Sequence, residues 1–244
     1  GSFGAALLLS KTPGRLSTLA MIVLSISASS RYIYWRFTDT MGFTHWMDAA
    51  LGYGLVLAEL YAFAVLLIGY FQTAWPLQRR PVPMPTDVST WPSVDVFIPT
   101  YNEPLEVVRQ TVFSAMSLDW PKDRLHVYVL DDGRRTEFRE FCEELGVGYL
   151  IRDNNHHAKA GNINAALKIT HSEYIAIFDC DHIPTRSFLQ VCMGWFFKDT
   201  NLVMLQTPHV FFSPDPFERN LDTFHRMPNE GELFYGIVQD GNDL

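Results

Sequence analysis

Two aspartates one residue apart, Asp179 and Asp181, close the apolar run Tyr174-Ile175-Ala176-Ile177-Phe178. A short run of β-branched and aromatic residues predicts a buried strand over 174–178, and both carboxylates fall just past its end. In an open α/β sheet, ligands bind in the crevice beyond the carboxyl ends of the strands. Carboxylates converging there suit a hard divalent cation, Mg2+ or Mn2+, which takes its other oxygen ligands from substrate phosphates. The competing reading is an acidic strand-to-loop turn, a place where Asp is common.

Three other clusters are chemically complementary to this pair. Tyr101-Asn102-Glu103 sets an aromatic ring beside a carboxylate, able to pack against a flat base and accept its N–H. Asp131-Asp132-Gly133 brings two more carboxylates, with a glycine that permits a tight turn. Asp132 lies further past its strand and is the better placed to reach the crevice. His156-His157-Ala158-Lys159-Ala160-Gly161-Asn162 precedes a helix. The charge of Lys159 and the free N–H groups of a helix start together suit a diphosphate. A cation on Asp179 and Asp181 would neutralise the same group. Any one cluster could be a solvated turn; all four falling at strand ends, or at the helix start facing them, point to one site.

Such a site needs a sheet to hold it. Strands are expected over 94–100, 126–130, 147–151, 174–178 and 202–206, and helices over 104–117, 136–145, 161–170 and 186–197. Regular βαβ alternation implies α/β architecture, a doubly wound, mostly parallel sheet with helices on both faces. Before it, residues 76–93 carry Pro76, Pro81, Pro83, Pro85 and Pro92, which can neither continue a helix nor pair centrally in a sheet. An extended linker is expected there.

The first 75 residues are of another kind. Residues 16–35 are apolar apart from small and hydroxyl residues and Arg31, and are flanked by Arg15 and Arg36. They match a membrane crossing of roughly 20 residues, and Tyr32, Tyr34 and Trp35 form an aromatic belt rather than a cleavage site. Residues 49–75 are a second candidate, in which Gly52, Gly54, Ala58 and Ala62 would allow close helix packing. Buried core helices are the alternative for both. Lys11 and Arg15 precede the first segment and Arg79 and Arg80 follow the second, while the connection carries Asp39 and Asp48 and no Lys or Arg. That asymmetry places both outer ends, and everything after Pro76, in the cytoplasm. Glu59 lies inside the second segment. Its expected role is a hydrogen-bonded helix–helix contact, for example to a hydroxyl of the first segment, with a translocation path as the other reading.

A formal charge of −8 leaves no basic face for a nucleic acid. Cys142, Cys180 and Cys192 have no metal-type spacing, which fits a reducing compartment and no disulfide framework. The absent initiator Met, the apolar run Phe3–Leu9 and the unpunctuated end Asn242-Asp243-Leu244 give the expectation of a piece of a longer protein.

The strings Pro99-Thr100-Tyr101-Asn102-Glu103, Leu130-Asp131-Asp132-Gly133, His157-Ala158-Lys159-Ala160-Gly161-Asn162, Phe178-Asp179-Cys180-Asp181-His182 and Gln206-Thr207-Pro208-His209 resemble those of bacterial cellulose synthase catalytic subunits. These are processive, inverting family 2 glycosyltransferases of GT-A fold. The likeness runs over nearly the whole chain, through Arg31-Tyr32, Trp35-Arg36, Ala58-Glu59-Leu60-Tyr61 and Ser213-Pro214-Asp215-Pro216-Phe217-Glu218-Arg219-Asn220. Asp-x-Asp alone is shared with many glycosyltransferases; its combination with the His-Ala-Lys-Ala-Gly-Asn string is far more specific.

The resemblance implies that Tyr101 and Glu103, with Asp131 and Asp132 as the catalytic-site carboxylates, hold the uridine of UDP-glucose. It implies further that Asp179 contacts the donor, Asp181 ligates Mg2+, and Gln206, Thr207 and Pro208 line the sugar or acceptor side. Lys159 goes to the diphosphate on charge grounds, and His182 braces the Asp-x-Asp turn. The implied partners are UDP-glucose, a β-1,4-glucan chain, the lipid bilayer and further synthase subunits, in a multi-pass protein of the bacterial inner membrane. The family's Thr-Glu-Asp, Gln-x-x-Arg-Trp and Phe-Phe-Cys-Gly-Ser strings do not occur in these 244 residues. The implied division is a membrane region over 1–75, a linker over 76–93 and the donor half of the transferase over 94–244. Cyclic diguanylate control would act through a PilZ domain outside the chain. Chitin, hyaluronan or mixed-linkage glucan synthases, and a non-catalytic nucleotide-sugar-binding membrane protein, are the alternatives.

Overall fold

The computed structural model describes residues 14–74, 79–211, 213–224, 231 and 234–238. Phe3–Leu9, Lys11, Trp75, Pro76 and Asn242-Asp243-Leu244 lie outside the described residues. The chain divides into two units, one formed by residues up to 79 with those from 206 onward, the other by residues 80–205.

In the first unit the apolar segments form α1 (Arg15–Asp39) and α2 (Trp46–Thr73), a helical hairpin. Both helices are long and apolar enough to cross a membrane, and at most 6% of either apolar stretch is buried. A core helix of a soluble protein hides that surface; these do not. Ser25 and Tyr70 share a hydroxyl hydrogen bond of 2.5 Å across the pair. Glu59 accepts from the Tyr32 hydroxyl at 3.1 Å, the hydroxyl contact expected of it, and from Arg36 Nε at 2.8 Å, a partner the sequence reading did not name. Of the small residues, Gly52 makes room for the Phe43 ring of the connection, which fills the space beside it.

In the second unit, β1 (Val94–Thr100), β2 (Leu125–Asp131), β3 (Gly148–Leu150) and β4 (Tyr174–Ile177) form a parallel sheet of order β3-β2-β1-β4. The connections are α3 (Leu105–Met116), α4 (Thr136–Leu145) and α5 (Ala158–Ala166), and α6 (Phe188–Lys198) follows β4. Alternation along β1 explains the layering. Val94, Val96 and Ile98 face Val108, Val112, Phe138, Phe141 and Met193 in the larger core, whereas Phe97 joins Leu130 and Ala166 on the α5 side. The winding reverses after β3, so right-handed crossovers put α5 on the opposite face from α3 and α4.

Two expectations are corrected. No strand forms over 202–206, because a strand needs a ladder partner and among the described residues Leu202–Leu205 has none. The strand at 174–178 is half-buried: Tyr174 and Ala176 pack on the core, but Ile175 and Ile177 are exposed, since α5 covers only the β1–β2 part of its face. The described part of the linker is not extended throughout, since Val88–Thr90 form a 3-10 turn capped by the Asp87 side chain, and it docks on its own unit. Trp91 donates to the Pro85 carbonyl at 2.9 Å and stacks on Trp120 at 4.6 Å. The Val82 carbonyl approaches Gly194 of α6 so closely that an added Cβ would lie 1.9 Å away.

Candidate active site

Strand register sets the height of each cluster. Thr100 pairs with Asp131, so the Tyr101 and Asp132 turns leave the sheet side by side, tied by Asp132 N–H to Thr100 C=O at 2.9 Å. Ile177 pairs with Phe97, so the Asp179 turn starts level with Pro99 and emerges beside the same crevice. The gap between β1 and β4 is the topological switch point, where chains diverge to opposite sides and leave an open mouth.

Glu103 folds back on its own strand end, its Oε2 accepting from the Tyr101 N–H and the Thr100 hydroxyl, both at 2.8 Å. Burial pushes its pKa up, but these bonds to the charged form win and hold it below the ordinary glutamate value. The turn thereby presents the Tyr101 ring outward, half exposed.

The two aspartates of the second cluster are not alike. Asp131 is fully buried and saturated: Gly133 N–H, Arg135 N–H, the Arg135 guanidinium and the Tyr149 hydroxyl all donate to it. It binds the turn together from inside. Burial, then the bond to Asp131, pushes the Tyr149 phenol up to about 12, so it stays a donor. Asp132 is held by Arg152 in a two-pronged ion pair, Nε and Nη2 each 2.6 Å from a carboxylate oxygen. That bond keeps the guanidinium above its usual pKa.

Lys159 stands in the first turn of α5, which begins at Ala158 and not at Gly161 as the sequence suggested. Its ammonium is ion-paired with Asp179. Asp181 is the more exposed of the two turn carboxylates, and His182 Nε2 lies 3.9 Å from an oxygen of each. The His182 N–H closes the turn on the Asp179 carbonyl at 3.0 Å. Beneath, the buried Thr111 hydroxyl donates to the Cys180 carbonyl at 2.8 Å. Burial and the nearby Glu103 and Asp181 charges push the Cys180 thiol up to about 11, which removes it as a thiolate ligand.

Tyr101, Glu103, Asp132, Lys159, Asp179 and Asp181 thus gather at the carboxyl end of the sheet, with Asp131 just under it. Gln206, Thr207 and Pro208 belong to the first unit, in neither helix nor strand. Among the described residues no three His, Cys, Asp or Glu side chains are grouped to hold a metal by themselves. Two hard, outward carboxylates fit a cation that completes its shell from a bound phosphate. Arg135, Tyr149, Thr111 and Arg152 were not anticipated. Arg135 could have been found as the i+4 partner of Asp131; the others act across long sequence separations and leave no local pattern.

The profile described as Glycosyl transferase family 2 matches residues 95–239. The chain is 66% identical over 242 residues to "Cellulose synthase catalytic subunit [UDP-forming]" of Pseudomonas fluorescens, covering 99% of this chain and 33% of that protein. It is 62% identical to the protein of the same description from Xanthomonas axonopodis pv. citri, again over 99% and 33%. The chain spans about a third of the length of these curated relatives. Among solved structures, the mannosyltransferase PcManGT of Pyrobaculum calidifontis, in complex with GDP-Man and Mn2+, aligns at TM-score 0.46 and 26% identity over 58% of this chain and 42% of that one. With its doubly wound GT-A sheet and a profile match over more than half its length, the chain belongs to glycosyltransferase family 2.

Proposed function

We propose that this chain carries the membrane hairpin and the donor-binding half of a processive, inverting glucosyltransferase that extends β-1,4-glucan from UDP-glucose. The observation that carries the reading is charge placement at the switch point, where Lys159 meets Asp179 with Asp181 exposed beside them. A diphosphate with its counter-cation is the ligand that satisfies both signs at once. High identity to proteins named cellulose synthase supports the glucan as product and UDP-glucose as donor.

In this reading the exposed Tyr101 ring packs on uracil, and Glu103 and Asp132 supply acceptors on the base side. Asp131 is the internal brace of that wall. Lys159 leaves Asp179 for the diphosphate and helps stabilise the charge that builds on departing UDP. Asp181, with Asp179, would hold Mg2+, which contributes Lewis-acid neutralisation of the same phosphates. In this reading the helix ends and the transferase face the cytoplasm from the bacterial inner membrane, an orientation that the positive charges of Arg15, Arg79 and Arg80 support.

The test is a donor competition with the full-length protein in detergent, following labelled sugar into insoluble product. UDP-glucose is expected to be incorporated, UDP-N-acetylglucosamine is not, and the product is expected to yield to a β-1,4-glucanase. Preferential incorporation of N-acetylglucosamine would assign the chain to another processive synthase. Donor binding with no transfer would leave a nucleotide-sugar-binding membrane protein.

A further inference from the structure

We propose that Arg152 is a positioning residue that fixes Lys159 relative to Asp132, and so couples the base-side and phosphate-side halves of the site. The proposal rests on the donor-binding reading above. One guanidinium fastens two elements. On one side it grips both oxygens of Asp132, at the end of β2. On the other it donates to the His156 carbonyl at 2.7 Å and the Ala158 carbonyl at 2.9 Å.

Those two carbonyls flank a strained step. His157 has φ of 61° and Ala158 of 43°, consecutive left-handed residues that are neither glycine nor asparagine. L-residues hold such a conformation only where the surroundings over-determine it. The next residue is Lys159, so the pitch of this turn decides where the ammonium lies. Gly161 closes the arrangement: a Cβ there would sit 2.0 Å from the His156 carbonyl oxygen and 2.6 Å from Arg152 Nη1.

The guanidinium is almost wholly enclosed, with 11% of its side chain exposed, and most of its N–H donors are taken. It therefore acts through its neighbours and not by touching the donor. Contacts run without a break from Asp132 through Arg152 and the left-handed turn to Lys159 and Asp179, across the ends of β2 and β4. A lysine at 152 would keep the charge but lose the planar fork that holds both sides.

The experiment uses the full-length protein in detergent with Arg152→Lys, Gly161→Ala, Lys159→Met and the Arg152→Lys/Lys159→Met double variant. Without ligand, amide hydrogen exchange over 153–161 is expected to rise about tenfold in Arg152→Lys and Gly161→Ala, with strand 94–100 unchanged. No local rise in either variant overturns the proposal. With UDP and Mn2+, Arg152→Lys and Gly161→Ala are each expected to bind about tenfold more weakly, and the double variant no more weakly than Lys159→Met alone. Additive losses overturn it, because Arg152 would then act independently of Lys159. If the unsubstituted protein binds no UDP, the donor-binding reading fails, and the exchange measurement still decides on Arg152. If Arg152→Lys does not fold, Gly161→Ala, whose new Cβ presses on the His156 carbonyl and Arg152 Nη1, gives the exchange and binding readouts, and its combination with Lys159→Met repeats the additivity test.

Discussion

Thr111 offers a sharp test of what sets the Asp179–Asp181 turn. It lies on α3 with no exposed surface, and its hydroxyl supports the carbonyl of the residue between the two aspartates. Thr111→Val keeps the shape and removes the donor, leaving a buried carbonyl without this partner. Such a loss costs about 1–3 kcal/mol. If the turn rotates to relieve it, the carboxylates move, and cation-dependent UDP affinity should fall roughly five- to a hundredfold. Thr111→Ser retains the hydroxyl and gives up a buried methyl, so stability drops by about 1 kcal/mol while UDP affinity should stay within about twofold. Isothermal titration of the full-length protein with UDP, in Mg2+ and in Mn2+, separates the two. Unchanged affinity and metal dependence in Thr111→Val would refute the reasoning. An equal loss in both variants would mean that packing, and not the hydrogen bond, shapes the turn.

Three other outcomes follow from the same geometry. Asp181→Asn should abolish the cation dependence of UDP binding, because an amide offers no charge to a hard cation; titration with and without chelator checks it. Gly194→Ala should displace the linker, since the new Cβ would meet the Val82 backbone and not a mobile side chain. The expected cost is about 1–3 kcal/mol, read as faster trypsin cleavage after Arg79, since the Arg80–Pro81 bond is not a trypsin site. Glu103 has its carboxyl below the ordinary range, so its ionised form stabilises the folded state above that range, and the contribution is lost as pH falls through the lowered value. The melting-point gap between wild type and Glu103→Gln should thus be present at neutral pH and shrink as the solution is acidified below the ordinary glutamate range; a gap that widens in acid would reverse the assignment.

Much of this was legible in the sequence. Val94–Thr100 and the 125–131 strand declare themselves through β-branched runs that stop at polar turns, and the βαβ rhythm then admits few topologies. The polar ends could be listed because they are contiguous in sequence. What they do could not be separated. Asp131 and Asp132 look alike as neighbours, yet alternation puts one under the sheet end against Arg135 and the other toward Arg152. The strand expected at 202–206 failed for a related reason: apolar pattern gives a face to bury but cannot supply a pairing edge. The start of α5 was placed three residues late because two left-handed residues, His157 and Ala158, precede Lys159 without a glycine to announce them.

The Arg36–Glu59 pair bears on how the hairpin is made. Glu59 sits near the middle of α2, about 20 Å from either end. A lone carboxylate at that depth costs about 3 kcal/mol on insertion scales, and its side chain is too short to reach water. Arg36 lies near the end of α1, where it can reach the interface by itself. The first helix can therefore leave the insertion machinery unaided, whereas the second gains its neutralising partner only when the first is still alongside. On that ground the two helices are expected to leave the insertion machinery together, as one unit.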